Sequence, residues 1–506
     1  MNLNPLTHAF FEKRDEDGFA LTFDDVLLRG GWPTFDPYAT NLKTKLSRNV
    51  ELMLPFAAAA MSAVVGREMA IECPKLGGIA SIPRSFSIEE QSRIVGRVKH
   101  TIHGFIDAPI TARPDETVEA LQKRRLEEGW PFESFPVVEH TSGNFVGLVT
   151  SSDFNRNTNA SALIGSIMTP RSRLKTAPAG ISQKDAFELL RASSKNVLPV
   201  LNADKTLAGL YTLKDLRRIL TETHVAHATD HLGRLRAMMA IGSGTEAITR
   251  ARAGIEKDVD VIHIDMANAA QDFVLETVRE LRRIYPDSCP DIIVGNFANP
   301  DNVHQFLESV RVDGILAGIG GGSICTTRVV TGVGIPQLTA VYDCVRIAQR
   351  YGIPVISDGG IRYSGDILKA LCAGASSVMM GKLLASTDEA PGKKVRLKNG
   401  SWAKEYYGMG SERALAESSA SRQRYVQGHG AFIPEGIEGT VPYFGSLARL
   451  IEISMGGLRK GFHYCGAPDI ETLWRIAKFR QVTQAGLREA HPHDVYDIAE
   501  SANYAG

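Results

Sequence analysis

The sequence predicts an α/β fold in which a TIM (β/α)8 barrel carries a smaller module inserted through one of its loops. Three observations predict this fold: the length of the chain, an alternation of short apolar strands with helices, and a repeat that begins near residue 100. The 506 residues, 43% of them hydrophobic, are enough for a barrel of about 250 residues or more and a second domain. The predicted barrel comprises 1–99 and 223–506, and the predicted insertion comprises 100–222.

The barrel is predicted from apolar segments that alternate with helical periodicity. The strand candidates after residue 225 are Val259–Ile264, Asp291–Gly295, Gly314–Ala317, Ile353–Ile356 and Ser377–Met380, and similar segments occur at 54–61 and 77–82. Helices are predicted between them, for example over Ala270–Ile284 and Ser364–Cys372. Continuous apolar strands separated by helices indicate a parallel sheet. A doubly wound sheet is the alternative, but no Gly-x-Gly-x-x-Gly opens a helix after the first strand, which argues against a Rossmann site.

The composition of the chain argues against several classes of partner. Lys and Arg together number 57, as do Asp and Glu, so the net charge is zero and neither nucleic acid nor a membrane surface is indicated as the main partner. The six cysteines show no Cys-x-x-Cys spacing, so neither structural zinc nor a disulfide framework is predicted, and the expected location is the reducing cytoplasm. No apolar run reaches the ~18 residues that span a bilayer.

The repeat consists of two similar strand–turn–strand–helix segments. The first contains Phe-Pro-Val-Val at 135–138 and Gly-Leu-Val-Thr-Ser-Ser-Asp at 147–153, and the second contains Leu-Pro-Val-Leu at 198–201 and Gly-Leu-Tyr-Thr-Leu-Lys-Asp at 209–215. The two segments resemble a tandem pair of CBS modules. That resemblance implies that the insertion binds adenine or guanine nucleotides, and a coincidental α/β repeat is the alternative.

The candidate regulatory residues lie in the Thr-x-x-Asp motif of each copy. They are Thr150 and Asp153 in the first copy, and Thr212 and Asp215 in the second. In CBS modules the threonine often contacts a nucleotide phosphate and the aspartate a ribose. The same motif also caps helices, so the regulatory and the purely structural interpretation both stay open.

A glycine-rich segment with one cysteine is the strongest sign of chemistry. It reads Gly-Ile-Gly-Gly-Gly-Ser-Ile-Cys-Thr-Thr-Arg over 318–328. The three consecutive glycines, Gly320–Gly322, allow positive φ and a close approach of backbone N–H groups, which suits a phosphate. Cys325 follows directly, so a nucleotide held by its phosphate would extend its base over the thiol. A tight turn with an unreactive core cysteine is the alternative.

This segment and several others closely resemble the IMP dehydrogenase and GMP reductase superfamily. The matching motifs, spread over nearly the whole chain, are Thr22-Phe-Asp-Asp-Val-Leu, Gly295-Asn296, Ser357-Asp-Gly-Gly360, Tyr407-Gly-Met-Gly-Ser411 and Pro434-Glu-Gly-Ile-Glu-Gly439. The resemblance implies that Cys325 attacks C2 of the purine and that Thr327 and Glu435 form a catalytic pair. It also implies that Asp358 holds the ribose hydroxyls.

The resemblance implies further contacts to substrate and cofactor. The implied substrate residues are Ser323, Gly360, Gly381 and Lys382 at the phosphate, Met409 and Gly410 with Glu435 at the base, and Asn296 and Tyr407 elsewhere in the substrate site. The implied cofactor residues are Asp265 at the nicotinamide ribose, Asn268, Gly318 and Gly320.

The superfamily has two branches that use the same cysteine. Dehydrogenases oxidise IMP to XMP with NAD and water, and reductases convert GMP to IMP with NADPH. Arg424 and Tyr425, within Ser418–Gln427, resemble the flap pair of the dehydrogenases, in which the arginine activates water; a solvated arginine on a loop is the alternative. Together with the motifs at 455–459 and 486–494, this pair predicts dehydrogenase activity, with IMP as substrate and NAD as cofactor.

Other positions depart from the dehydrogenase pattern. Asn268 is reductase-like, Ala269 matches neither branch, and Lys382 replaces a usual serine; the segments 60–62 and 83–85 also differ. An NADPH-dependent GMP reductase is therefore the alternative function. A catalytically silent nucleotide sensor is the alternative from another class of protein.

The resemblance also implies a potassium ion and an oligomer. The implied K+ ligands are backbone carbonyls: those of Gly320, Gly322 and Cys325 from one subunit, and those of Glu489, Ala490 and His491 from its neighbour. The expected assembly is a homotetramer. Nucleotides at the CBS pair are expected to drive octamers.

Overall fold

The chain divides into two compact units. The computed structural model describes residues 3–101, 105–106, 109–127, 130, 132–156, 159–193, 195–221, 227–426 and 433–495. The first unit comprises Met1–Val98, Val225–Ala228 and Arg236–Gly506, and the second comprises Lys99–His224 and Thr229–Leu235. The predicted domain boundary at 222 and 223 lies outside the described residues.

The first unit is built on a closed barrel of eight parallel strands, which confirms the predicted TIM barrel. The strands are β1 (Phe56–Ala58), β2 (Ile79–Ile82), β3 (Met238–Ile241), β4 (Val261–Asp265), β5 (Asp291–Phe297), β6 (Gly314–Ala317), β7 (Val355–Asp358) and β8 (Ser377–Met380). Each strand pairs with the next one in chain order, and β8 pairs with β1 to close the barrel.

Helices follow the strands. They are α1 (Arg67–Lys75), α2 (Ile88–His100), α3 (Gly244–Ile255), α4 (Asp272–Ile284), α5 (Pro300–Ser309), α6 (Gln337–Ala348), α7 (Ser364–Cys372) and α8 (Leu447–Cys465). In α4 the buried residues recur at a spacing of three or four, as a helix with one apolar face requires. Two short helices, Thr327–Thr331 and Lys382–Ala385, lie in the loops that precede α6 and α8.

One layer of apolar side chains fills the barrel interior. Each strand contributes one buried residue to this core: Ala57, Ile79, Met238, Val261, Ile293, Leu316, Ile356 and Met379. Because side chains alternate between the two faces of a strand, Asp265 follows Val261 on the inner face of β4, and Asp358 follows Ile356 on that of β7. The apolar layer therefore closes the barrel beneath the polar carboxyl ends of the strands.

For the five strands predicted after residue 225, the predicted bounds differ from the observed ones by at most two residues. The strand predicted from Val259 begins at Val261, because the backbone N–H of Val259 donates to the Gly254 carbonyl and closes the turn after α3. The strand predicted from Ile353 begins at Val355, because the N–H of Ile353 donates back to the Ala348 carbonyl.

Further elements of the first unit lie outside the eight βα repeats. The helices are Pro5–Glu16, Glu412–Glu417, Ser419–Arg424, Ile470–Ile476 and Gln484–Glu489, with 3-10 turns at Phe23–Asp25, Pro37–Ala39 and Gln349–Tyr351. The strand pairs are Val26–Leu28 with Phe479–Gln481 and Thr44–Lys45 with Glu51–Leu52, and a three-stranded sheet joins Lys394–Arg396, Trp402–Tyr407 and Glu438–Pro442.

The second unit contains two small sheets with helices. One sheet comprises Phe135–Val138, Phe145–Val149 and Thr169–Pro170, and the other comprises Phe105–Ile106, Ala177–Pro178, Val197–Leu201 and Leu207–Thr212. The helices are Val118–Glu127, Ser151–Arg156, Ile164–Ile167, Gln183–Arg191 and Leu213–Thr221, with a 3-10 turn at Arg171–Arg173. The strands and helices predicted for the two copies of the repeat are both present. Across the described ranges of the whole chain, no helix is long and apolar enough to cross a membrane.

Candidate active site

A cavity opens at the carboxyl ends of the barrel strands. Among the predicted site residues, it is lined by Asp265, Asn296, Gly318, Gly320, Gly322, Cys325, Thr327, Asp358, Met409, Arg424, Tyr425 and Glu435. These residues come from the carboxyl ends of β4, β5 and β7, from the loop after β6, and from Met409, Arg424, Tyr425 and Glu435 later in the chain. In TIM barrels this end of the strands carries the chemistry, so the cavity is the candidate active site.

Cys325 lies where the glycine loop meets the segment around Glu435. Cys325 and Gly436 form an isolated β-bridge, and the backbone N–H of Thr326 donates to the Glu435 carbonyl at 2.9 Å. The Cys325 sulfur is 3.1 Å from the Thr327 hydroxyl oxygen and 3.6 Å from the Glu435 carbonyl oxygen. These contacts hold the thiol in one place and put a proton-exchanging hydroxyl beside it.

The glycine loop is held in shape from two sides. Gly318 has φ 134°, and a Cβ there would lie 2.5 Å from both the Asp358 carbonyl oxygen and the Gln337 side chain, so glycine is required. On the other side, the Arg328 guanidinium donates to the Ile319 carbonyl at 2.9 Å. The loop that presents the thiol is therefore fixed by its own neighbours.

Asp358 and Asn296 form a buried polar pair at the ends of β7 and β5. The Asn296 amide nitrogen donates to Asp358 Oδ2 at 2.7 Å and to the Gly318 carbonyl at 2.6 Å. Burial raises the pKa of Asp358 to about 6, although the hydrogen bond from Asn296 and the charge of Arg424 oppose the rise. The amide oxygen of Asn296 is buried without a partner among the described residues, so the pair offers acceptors to the hydroxyls or amides of a ligand.

Arg424 forms an ion pair with the buried carboxylate of Asp265. Its Nε atom lies 2.9 and 3.0 Å from the two carboxylate oxygens, and its Nη1 donates to the Tyr425 hydroxyl at 3.2 Å. The backbone N–H of Ala267 also donates to the Arg424 carbonyl at 3.1 Å. Burial alone would raise the pKa of Asp265, but the positive charge of Arg424 brings it below the usual value. Arg424 of the predicted flap pair thus occupies the carboxylate that was predicted to bind the cofactor ribose.

Several predicted residues lie near the cavity but do not line it. Within the described ranges these are Ser323, Asn268, Gly360, Gly381, Lys382, Tyr407 and Gly410. Asn268 is exposed and its side chain accepts from the Ala270 N–H at 3.2 Å. Lys382 is exposed at the start of a short helix, and Tyr407 stacks under the Arg413 guanidinium at 4.6 Å. Their predicted contacts with substrate or cofactor stay predictions.

The predicted K+ ligands fall on two separate segments. Gly320, Gly322 and Cys325 lie on the loop beside the cavity, whereas Glu489 ends the helix Gln484–Glu489 and is followed by Ala490 and His491. The His491 ring lies 6.2 Å from the Tyr363 ring. Backbone carbonyls are the donor class that suits a hard monovalent cation, and the loop of one chain supplies only part of the predicted set.

In the second unit, the two Thr-x-x-Asp pairs cap helices. The Thr150 hydroxyl donates to Asp153 Oδ2 at 2.7 Å, and the Thr212 hydroxyl donates to Asp215 Oδ2 at 2.6 Å. The N–H of Thr150 also donates to the Asp153 carboxylate at 2.9 Å. The capping role is thus seen directly, and the nucleotide-binding role stays a prediction.

The structure adds residues that the sequence reasoning missed. His263 lines the cavity from β4; its Nδ1 lies 2.9 Å from the Ser81 hydroxyl, and its Nε2 is buried without a partner in the described part of the chain. Burial lowers the pKa of His263 to about 4, so the ring is neutral. A histidine two residues before Asp265 in an otherwise apolar strand was the available signal. Tyr406 and Met61 also line the cavity.

The fold and the cavity together define a TIM-barrel protein with a cysteine and two aspartates lining one cavity at the carboxyl ends of its strands. The chain belongs to the family described as the IMP dehydrogenase / GMP reductase domain, whose model matches residues 20–493. This match confirms the family predicted from the motifs.

Relatives from both branches of the family are similar to the chain. The inosine-5'-monophosphate dehydrogenase of Aquifex aeolicus is 40% identical over 497 residues, which cover 97% of this chain and 99% of the relative. That of Halalkalibacterium halodurans is 40% identical over 484 residues, covering 96% and 98%. Among solved structures, a variant of GMP reductase from Trypanosoma brucei in complex with guanosine 5'-monophosphate has a TM-score of 0.80 and 33% identity, covering 95% of this chain and 100% of that one.

Proposed function

We propose that the protein oxidises IMP to XMP with NAD and water through a covalent bond between Cys325 and C2 of the purine. The observation that carries the proposal is the position of the flap pair: Arg424 and Tyr425 line the same cavity as Cys325. An arginine in the same cavity as the nucleophile can activate the water that a reaction ending in hydrolysis requires. The full-length similarity to dehydrogenases supports the same direction.

In the first half-reaction the Cys325 thiolate adds to C2 of IMP, which forms the C–S bond and leaves C2 tetrahedral. A bound NAD would supply the hydride acceptor, and loss of the hydride from C2 would leave the base joined to Cys325 as a thioimidate. Asp358 and Asn296 hold the nucleotide during this step, because their buried acceptors suit the ribose hydroxyls. Covalent attachment divides one difficult displacement into two easier ones.

In the second half-reaction water attacks C2 and the C–S bond breaks, which returns the thiolate and releases XMP. A general base must take a proton from the water. Arg424, which is held in the cavity by Asp265, is placed to orient the water. The Thr327 hydroxyl, 3.1 Å from the Cys325 sulfur, is placed to pass the proton of the water on toward Glu435. Glu435, which also lines the cavity, completes the proton path.

Arg424 and the dinucleotide cannot both use Asp265. The ion pair at 2.9 Å occupies the carboxylate that we assign to the nicotinamide ribose. The dinucleotide must therefore leave before Arg424 enters, which separates hydride transfer from hydrolysis in time. Asp265, whose carboxylate lines the cavity, is a group that fits such a cofactor.

A second candidate function is the NADPH-dependent reduction of GMP to IMP with release of ammonia. Two observations favour it: Asn268 follows the reductase pattern, and a GMP reductase bound to GMP has a similar structure over 95% of this chain. That reaction uses the same Cys325–C2 bond but has no hydrolysis step.

One pair of assays separates the two candidates. Absorbance of the reduced dinucleotide is followed with IMP plus NAD, and separately with GMP plus NADPH, each in the presence of K+. We expect NADH to form in the first assay. Consumption of NADPH with GMP, together with no NADH from IMP, would assign the reductase activity instead, and inactivity in both assays would favour the silent sensor.

The remaining assignments extend the proposal to the whole protein. K+ is proposed at the carbonyls of Gly320, Gly322 and Cys325, with those of Glu489, Ala490 and His491 from a neighbouring subunit of a homotetramer. Adenine or guanine nucleotides are proposed at the pair of CBS modules, where they drive octamers. The six free cysteines fit a cytoplasmic location.

A further inference from the structure

Arg84 is a buried cation that contacts the catalytic cavity only through other groups. It follows β2 in the chain, and its residue is 2% exposed. Its Nη1 donates to the Gln423 amide oxygen at 2.6 Å, and its Nη2 donates to the Asp265 carbonyl oxygen at 3.2 Å. One guanidinium therefore joins the barrel strand that carries Asp265 to the helix Ser419–Arg424.

Gln423 connects the same helix to a second point on the barrel. Its amide nitrogen donates to the Ser243 carbonyl at 2.9 Å, just after β3. The next residue along the helix is Arg424, whose Nε lies 2.9 Å from Asp265. Gln423 thus anchors the helix directly beside Arg424, the residue that occupies the proposed cofactor carboxylate.

Gly242 leaves the space in which these two side chains meet. A Cβ at this position would lie 1.9 Å from Arg84 Nη1 and 2.2 Å from the Gln423 amide oxygen. The φ of Gly242 is not in the left-handed region, so the requirement for glycine comes from these side chains and not from the backbone. The meeting point is therefore built from three segments: the end of β2, the end of β3 and the helix Ser419–Arg424.

We propose that Arg84 is a positioning residue, which acts through Gln423 to hold the helix Ser419–Arg424 against the barrel with Arg424 on Asp265. The contact between Arg84 and Gln423 sets the balance between Arg424 and the dinucleotide, which are alternative partners of the Asp265 carboxylate. This contact stabilises only the state in which Arg424 occupies Asp265. The free energy of the contact therefore favours that state, and the affinity for the dinucleotide falls by the corresponding factor. The inference deepens the proposed function, since it rests on Asp265 as a cofactor ligand.

Two substitutions break the contact from different sides. Gln423→Ala removes the acceptor, and Gly242→Ala fills the space. Because one hydrogen bond of ordinary net strength is lost in each, we expect the KM for the dinucleotide to fall about three- to tenfold. The kcat of the hydrolytic step falls with it, because Arg424 spends less time in the cavity. Amide hydrogen exchange across Ser419–Arg424, measured with saturating nucleotide, becomes faster by a similar factor.

The double variant and two controls separate this role from a general loss of stability. Because both substitutions break one contact, the double variant is expected to shift KM no further than either single one. Ser419→Ala changes an exposed residue of the same helix, and Gly456→Ala adds a Cβ with no atom within 4 Å. Both controls are expected to keep the KM and the exchange rate of the unsubstituted protein.

The results distinguish failure of this inference from failure of the proposed function. An unchanged or increased dinucleotide KM in Gln423→Ala, with unchanged exchange, overturns the positioning role even where Gly242→Ala does not fold. If direct titration shows that the unsubstituted protein binds neither NAD nor NADPH, the proposed function fails. The hydrogen-exchange measurement still decides in that case whether Arg84 and Gln423 hold the helix.

Discussion

Cys325 is fixed by contacts to its own chain before any ligand binds. Its sulfur lies 3.1 Å from Thr327 Oγ1, and its backbone bridges to Gly436. Asp358, across the cavity, belongs to a separate hydrogen-bonded pair with Asn296. Substitutions at the thiol and at the carboxylate should therefore affect chemistry and binding separately.

Cys325→Ser is expected to abolish turnover and to leave nucleotide binding intact. A hydroxyl is far less nucleophilic than a thiolate, so the covalent step stops while the contacts of Asp358 and Asn296 remain. Steady-state turnover and a calorimetric titration with IMP test the two halves of this statement. Normal turnover in the serine variant would show that the reaction does not pass through the sulfur.

Arg424→Ala is expected to slow hydrolysis more than hydride transfer. Loss of the arginine side chain leaves Asp265 free for the dinucleotide, but no guanidinium then orients water at C2. Rapid mixing should show a burst of NADH followed by a slow steady state. Equal slowing of both phases would count against the assigned role.

The KM for the nucleotide is expected to rise as the pH falls below about 6. Burial raises the pKa of Asp358 to about 6, and only the ionised carboxylate accepts two ribose hydroxyls. Below this pH the rise in the KM for the nucleotide approaches about tenfold per pH unit. Asp358→Asn should have a high KM with no such pH dependence. A flat profile in the unsubstituted protein would remove Asp358 from the ribose site.

The same raised pKa makes the ligand-free fold gain stability as the pH falls from above 6 toward the ordinary value of 3.8.

At the scale of the element, β1 and β2 pack through a glycine at the lower end of the barrel. A Cβ on Gly78, just before β2, would lie 2.4 Å from the Phe56 ring of β1. Phe56 is fully buried. The close approach of these strands therefore depends on the missing side chain, because a close-packed protein interior leaves no room for an added methyl group.

Gly78→Ala is expected to destabilise the first unit by about 1–3 kcal/mol, the usual cost of overpacking a core. Gly456→Ala, in α8 with no atom near its Cβ, is the matched control and should be neutral or stabilising. The midpoint of urea unfolding measures both. Equal midpoints for the two variants would show that Phe56 moves aside at little cost.

At the scale of the whole molecule, the second unit begins and ends near a buried ion pair. Lys99 Nζ lies 2.9 Å from Asp230 Oδ2, and the two side chains are 1% and 3% exposed. Arg234 also reaches Asp230 at 2.9 Å. A buried charge that loses its partner is strongly destabilising. Any truncation of this unit must therefore keep both partners or remove both.

Deletion of 100–222, which keeps Lys99 and Asp230, is expected to leave turnover near normal. It should remove any change in particle size caused by ATP or GTP, because a ligand acts on an assembly only through its differential affinity for the two states. Light scattering of both proteins with and without each nucleotide tests this. Loss of catalysis in a well-folded deletion variant would show that the inserted unit supports the active site directly.

The sequence determined the barrel and most of its cavity, because these depend on local patterns. Apolar strands alternate with amphipathic helices, and polar residues such as Asp265 and Asp358 follow the strands, so the carboxyl ends bring them together in any TIM barrel. The glycines around Cys325 fixed the position of the thiol in the same way, since backbone conformation there permits little else. Strand ends were misplaced by up to two residues where turns took up backbone N–H groups.

Contacts between distant segments were decided only by the tertiary structure. Nothing in the sequence shows that Arg424 meets Asp265 or that Arg84 reaches Gln423. Each pairing depends on how separate loops pack at one end of the barrel, and a side chain's burial, which sets its pKa, follows from that packing. Local pattern fixes which residues lie on the inner face of a strand, whereas long-range packing fixes which of them touch.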